Sequence, residues 1–430
     1  MNSNKKGNAG EEAVNNLAFN TYFEYWCFPN PKDELGDKKE ICDLLILFKK
    51  TVIIFSIKNY SFKDNYERYF NRTLTKALSQ IHGAERKLFQ SNHEIRFTHS
   101  KIGFKNFNPE NYETIHRIII NINTKPLFHP GGLMTKNNVF THVFNWESFL
   151  GIVSELDTIP DFIRYLLERE VVFEQKDFIM ALGDEMEWTK EINQVYIAFN
   201  RNLANNLRNF ILFSGTELDL LSIYLTNERK FDASFYSDEY HGAVFQMDGN
   251  WNSYIKRKEV SRKKEEDRLS YFVDEFVKRE VLYKTDANNL KLAAELLSLN
   301  RFERRILGKL FFEFVETNKD KEDYFVARRY GKIAGVVVGF LVHDSKMLHE
   351  HVMSALNLAI EGYCVWNKYQ DQKIIIIGVS DNLTQFKFGY LDNIEPFPKE
   401  YEDLVKEDLK KLNWFTRLDE QNIHFKEYPD

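Results

Sequence analysis

Apolar and polar positions alternate along this chain in two rhythms. Residues 9–23 carry Glu11, Val14, Ala18 and Tyr22 at helical spacing, which predicts a helix with Glu11 on its buried face. "EYWCF" is a short strand candidate, and the Pro- and Gly-bearing "PNPKDELGDKK" after it reads as a loop. Two dense apolar runs follow, "ICDLLILF" and "VIIFSIKN", separated only by "KKT"; they predict an antiparallel hairpin. Over 73–90 the pattern returns to a helical period, with Leu74, Ala77, Ile81, Ala84 and Leu88 on one stripe. "TIHRIIINI" and "NVFTHVFNW" predict further strands.

This order of elements predicts an α/β sandwich over residues 1–145. Residues 146–310 read as mainly helical, through "WESFLGIVSEL", "IPDFIRYLLERE", "KDFIMALGD", "ELDLLSIYLTN" and "SYFVDEFVKREVL". From 311 to 430 strands reappear in "DYFVARRYGK", "IAGVVVGFLV", "KIIIIGV" and "QFKFGYLD", with a helix over 346–367, so a second α/β unit is expected. The fold class is therefore mixed α/β in three segments.

The chain has 430 residues, of which 43% are hydrophobic and 28% charged, a globular composition. It has no apolar run of membrane-spanning length. Its start lacks the apolar core of a secretory signal, and Cys27, Cys42 and Cys364 have no metal-ligand spacing. A cytoplasmic, reducing location is the expectation. The net charge is −6, yet residues 1–125 hold 19 basic and 14 acidic side chains. A mildly basic segment on an acidic body suits a nucleic-acid-facing N-terminal part.

The chemistry concentrates at the hairpin. Asp43 opens its first strand, Lys58 closes its second, and Glu11 lies on the preceding helix. Alternation puts Ser56 and Lys58 on one face of the strand and Ile57 on the other. An unpaired ammonium is costly to bury, so Lys58 should reach carboxylates at the sheet edge. Phosphodiester hydrolysis needs an activated water and neutralised phosphate charge, both of which a divalent cation supplies. Mg²⁺ takes carboxylate and carbonyl oxygens. Asp43, Glu11 and the Ile57 carbonyl are thus the candidate ligands for Mg²⁺ or Mn²⁺, and Lys58 the candidate for water activation or charge stabilisation. The basic, aromatic stretch after Lys58 offers Lys63, Arg68, Arg72 and Lys76 to backbone phosphates, with Tyr66 and Tyr69 as stacking rings.

This segment resembles the PD-(D/E)xK nuclease superfamily over about residues 8–145. By that resemblance Glu11 matches the helix glutamate, Asp43 the strand aspartate and Lys58 the motif lysine. Gln80 resembles the helix glutamine that some branches hold near DNA. Ser56 departs from the pattern, standing where the family has Glu, Asp or Gln, so the catalytic set would be Glu11, Asp43, Ser56 and Lys58. The resemblance implies a metal-dependent endonuclease acting on DNA. A regulated anti-phage effector is the expectation by analogy, with residues 146–430 sensing, dimerising or binding a partner protein. The alternative is a nuclease fold that binds nucleic acid, or scaffolds a complex, without cutting.

Elsewhere the candidates are thinner. His349 and His351 are two apart and diverge on a helix, which argues against a metal site with His343. Gly331, Gly335 and Gly339 precede no phosphate-loop lysine. Arg301, Arg304 and Arg305, with Arg328 and Arg329, could grip an anion or pair internally.

Overall fold

The computed structural model describes residues 3–22, 24–60, 68–69, 71–122, 129–134, 139–175, 177–181, 210–235, 237–240, 244–319, 325–416 and 422–429. The chain divides into two compact units, Met1–Arg257 and Lys258–Asp430. The three segments read from the sequence, with breaks near 145 and 310, therefore give way to one boundary near 257. Helices after residue 145 pack on the first sheet, which draws them into the first unit.

In the first unit a six-stranded mixed sheet runs in the order β1 (Cys27–Pro29), β2 (Leu44–Phe48), β3 (Thr51–Lys58), β6 (Thr114–Asn121), β9 (Phe140–Asn145) and β8 (Gly132–Met134). The β2–β3 hairpin is antiparallel, with Leu44 opposite Phe55, as its two apolar runs predict. Strand β6 then pairs parallel to β3, with Asn121 beside Lys58. Central strands covered on both faces read as nearly continuous apolar runs, and Val52 to Ile57 are all buried.

One face is covered by α2 (Lys76–Phe89), whose Ala77, Ile81, Ala84 and Leu88 pack with Leu45, Leu47, Val52, Ile54, Ile119 and Val143. A π-helical turn over Asn71–Thr75 leads into it. A small hairpin of β4 (Ile95–His99) and β5 (Gly103–Phe107), unforeseen from sequence, adds Phe97 and Phe107 to this core. The other face receives α1 (Ser3–Tyr22), α3 (Trp146–Glu155) and α4 (Ile159–Gln175). Rings tie these layers together: Phe149 lies 6.1 Å from Phe55 and 6.2 Å from Phe162, which stacks on Tyr22 at 5.5 Å.

A second sheet of this unit contradicts the helical reading of "KDFIMALGD". Asp177–Ala181 is a strand, β10, paired parallel to β11 (Phe210–Ser214), with β12 (Val244–Gln246) beyond it and β7 (His129–Pro130) on its other edge. Its apolar run is too short to separate helix from strand by period, so pairing decides. After it, α5 (Glu217–Thr226) opens with a capping box between Thr216 and Asp219.

The second unit follows its sequence pattern closely. Strands β13 (Val326–Ile333), β14 (Val336–His343), β15 (Lys373–Ser380) and β16 (Phe386–Asp392) form one sheet in that order, with β14 and β15 parallel. The β13–β14 turn uses Ala334 and Gly335, both at positive φ (49° and 80°), as a two-residue hairpin of this twist requires. The crossover helix α8 (His349–Trp366) and α9 (Lys399–Lys411), numbered after α6 (Ala287–Leu297) and α7 (Arg301–Asn318), cover one face. On the other, Phe311 of α7 packs 5.6 Å from Phe340.

Four of the five arginines considered as anion grips are spent inside this unit. Arg301 and Arg304 are buried and both donate to Asp274, while Arg305 lies 3.3 Å from Asp267. Arg328 stacks 4.1 Å over Trp414. Among the described residues no helix is long and apolar enough to cross a membrane.

Candidate active site

The hairpin and two helices bring Glu11, Asp43, Ser56, Ile57, Lys58 and Gln80 to one end of the first sheet. Asp43 precedes β2, and its backbone N–H donates to the Phe55 carbonyl at 3.2 Å, which clamps it against β3. The Asp43 carboxylate accepts from the Ile57 N–H, and the Lys58 ammonium lies 3.4 Å from the same oxygen. That ammonium also donates to the Ile57 carbonyl at 3.1 Å. Lys58 is 6% exposed and Asp43 8%, so this is a buried ion pair. Ser56 donates its hydroxyl to the Gln80 amide oxygen at 3.2 Å, tying β3 to α2.

Glu11 arrives from α1. Gly10 keeps this approach close: a Cβ there would stand 2.7 Å from the Ile122 side-chain end and 3.1 Å from that of Asn59, just past β6 and β3, and those ends would have to shift. Burial raises the Glu11 carboxyl above its usual range, and the charges of Asp43 and Glu40 raise it further against the pull of Lys58. The charges of Asp43, Glu40 and Lys58 all act on this carboxyl, so Glu11 belongs electrostatically to the Asp43 site.

Glu40 is the residue that sequence reasoning missed. It pairs across an isolated bridge with Lys32, while Ile41 donates to the Pro31 carbonyl at 2.9 Å, and this pins Glu40 just ahead of Asp43. Its carboxyl is raised by burial first, then by the charge of Asp43 and a hydrogen bond with it. An acid three residues before a strand-opening aspartate was the available signal. A cleft of about 240 Å³ opens over Asp43, Glu40, Ser56 and Gln80, between the start of β2 and α2, with Lys87 on its wall.

The basic side chains after Lys58 are placed less uniformly. Arg68, Arg72 and Lys76 are exposed at and before the start of α2, and Lys76 reaches the Tyr60 hydroxyl at 3.4 Å. Lys63 and Tyr66 lie outside the described residues. Tyr69 does not serve as a stacking ring in this structure: it is 8% exposed, and its hydroxyl accepts from Asn121 Nδ2 at 2.6 Å.

A second polar cluster lies in the same unit. His116, His142 and Glu170 bring potential ligand atoms within 4.8 Å of one another. Glu170 accepts from His116 Nδ1 at 2.7 Å and from His142 Nε2 at 2.9 Å. On its other side His142 Nδ1 meets the Arg169 guanidinium at 2.6 Å. Arginine only donates, so Nδ1 must be the lone pair and Nε2 must carry the proton. A metal-ligating histidine needs the reverse, a free Nε2 and an N–H on the far nitrogen. The cluster is thus a buried hydrogen-bond network. Arg169 extends it to the Gly131 carbonyl and to Glu217, each at 2.9 Å, and Tyr165 donates to Glu217 at 2.7 Å.

The network should make the unit acid-labile. Burial, aided by Arg169, pushes His142 down to about 3, and although burial opposes it, the two histidine hydrogen bonds hold Glu170 down to about 2. The unfolded chain takes up both protons sooner than the folded one. His142 therefore withdraws stability as pH falls from about 6.5 toward 3, by about 5 kcal/mol at most, and Glu170 does so below about 4.5. Urea midpoints should drop progressively below pH 6. His142→Gln, which keeps an N–H for Glu170 but cannot titrate, should flatten the profile between pH 6 and 4.5; an unchanged slope would assign the loss elsewhere.

No protein-family model matches the chain, and no curated protein matches it in sequence.

Proposed function

We propose that the first unit is a divalent-metal-dependent nuclease that hydrolyses phosphodiester bonds, with DNA as its substrate. The observation that carries this reading is the buried Lys58 ammonium set on the Asp43 carboxylate and the Ile57 carbonyl, with the Glu11 and Glu40 carboxyls, raised by burial and then by the Asp43 charge, beside it. The donor set fits a hard cation: carboxylates of Asp43, Glu11 and Glu40 and a backbone carbonyl, with no sulfur or imidazole among them. Such an ion, when bound, would lower the pKa of a coordinated water and offset charge on the scissile phosphate. Asp43 and the Ile57 carbonyl would hold it, and Glu11 and Glu40 would complete the charge balance from the helix and the cleft mouth. Lys58 would stabilise developing negative charge on the phosphate. Gln80 would hold Ser56 and shape the cleft wall. Arg72 and Lys76, at the start of α2, would take the nucleic-acid backbone, and the second unit would supply regulation or a partner surface.

One observation favours a second reading. Ser56 fills the position of the family's second motif carboxylate, and its hydroxyl is committed to Gln80. A site that has lost that carboxylate could bind nucleic acid without cutting it.

Incubation of the full chain with plasmid, single-stranded DNA and RNA in Mg²⁺ or Mn²⁺ separates the readings. Cleavage that EDTA abolishes is the expected result. Salt-sensitive binding without cleavage on any substrate would select the second reading, since phosphate contacts release counterions whether or not chemistry follows.

A further inference from the structure

The two acceptors of the Lys58 ammonium, the Asp43 carboxylate and the Ile57 carbonyl, are the two oxygens that the proposed function assigns to the cation. The lysine therefore occupies the ion's place. An entering divalent ion would have to displace a buried ammonium, and that ammonium then needs a new acceptor at once, because leaving it unpaired is costly.

One such acceptor lies next to it. Asn121 ends β6 in register with Lys58 of β3, and paired residues of neighbouring strands project to the same face about 4.8 Å apart. Asn121 is 8% exposed, and its Oδ1 is buried with no hydrogen-bond partner among the described residues. Its Nδ2 is anchored on the Tyr69 hydroxyl at 2.6 Å, so the amide is held by one end with the carbonyl end unused. Buried polar atoms are rarely left without a partner. An orphaned oxygen beside a lysine that must sometimes move is accounted for if the lysine moves onto it.

We propose that Asn121 is the docking position for Lys58 in the metal-loaded site: the ammonium leaves Asp43 and the Ile57 carbonyl as the cation takes them, and is received by Asn121 Oδ1. The site is then an exchange of one cation for another, with Tyr69 fixing the receiver. No bond is made or broken. This inference rests on the nuclease reading, and it makes Asn121 and Tyr69 positioning residues.

The test is a double-mutant cycle in Mn²⁺ affinity, measured on the full chain by calorimetry or by the free-ion electron paramagnetic resonance signal, with no substrate present. Lys58→Ala removes the competing cation and should tighten Mn²⁺ binding by about tenfold, while Asn121→Ala should weaken it by about tenfold, the value of one charged buried hydrogen bond. In the Lys58→Ala background the Asn121 substitution should have no effect, since nothing remains to be received. Tyr69→Phe, a gentler change, should act in the same direction as Asn121→Ala and lose its effect in the same background. Equal Asn121 effects with and without Lys58, or no tightening in Lys58→Ala, would overturn the exchange while Asp43→Ala still abolishes binding. Failure of the wild-type chain to bind Mn²⁺ at all would instead remove the nuclease reading on which the exchange stands.

Discussion

Asp43→Ala and Lys58→Ala should each reduce Mg²⁺-dependent cleavage by about 10³-fold, the cost of removing one preorganised charge from a site where charge develops. The two losses have different origins, and the difference is measurable. In the proposed site Asp43 would be a ligand of the ion, and it is clamped to β3 through its backbone N–H and through the Ile57 N–H. Its removal should abolish Mn²⁺ binding together with cleavage. Lys58 would, in the same proposal, supply a charge to the phosphate, so its removal should bring that loss of cleavage while the ion still binds. Asp43→Asn is the informative companion, because it keeps the hydrogen bond from Ile57 and loses the charge. Full cleavage in either alanine variant, measured on the substrate that the wild-type chain cuts, would remove this site from the chemistry.

The largest stability effect should come from the other end of the sheet. Arg169 and Glu217 have side chains 0% and 1% exposed, and each is the other's main countercharge. Glu217→Ala leaves a guanidinium buried beside His142, Phe144 and Phe173 with nothing to neutralise it. The expected cost is about 3–5 kcal/mol, which for a unit of this size lowers the melting temperature by on the order of 10 °C. The paired replacement Arg169→Met with Glu217→Leu should cost much less than either single change, because it removes both charges and keeps the volume. Thermal melts of the three variants check this, and additive losses would show that the two groups act independently.

The legible part of this fold was the part written in periods. The β2–β3 hairpin, the α2 stripe from Ala77 to Leu88 and all four strands of the second unit follow directly from apolar spacing, and each is in place. Asp43, Lys58 and Ser56 were legible because strand alternation fixes which side chains share a face. What stayed hidden depended on distant pairing. Asp177–Ala181 has too few residues to show a period and becomes a strand only by meeting Phe210–Ser214. Glu40 looked like part of a polar loop until its bridge to Lys32 set it beside Asp43. Asn121 is unremarkable in sequence and Tyr69 reads there only as a stacking ring; the pairing of the two depends on a register between strands more than sixty positions apart. The His116–Glu170–His142 cluster is of the same kind, drawn from two strands and a helix.

The pairing of β3 with β6 also sets a timetable. The hairpin that carries Asp43 and Lys58 closes over two residues and can form in microseconds on its own. Strand β6 must first return across the intervening segment of about 55 residues, whose closure entropy delays it. During synthesis the acid and the lysine therefore meet while still wetted by solvent, and the dry setting that strengthens their attraction arrives only with Asn121. A nascent chain stalled before residue 114 would hold the hairpin but not the burial, so the competence of this site is gated by translation reaching β6.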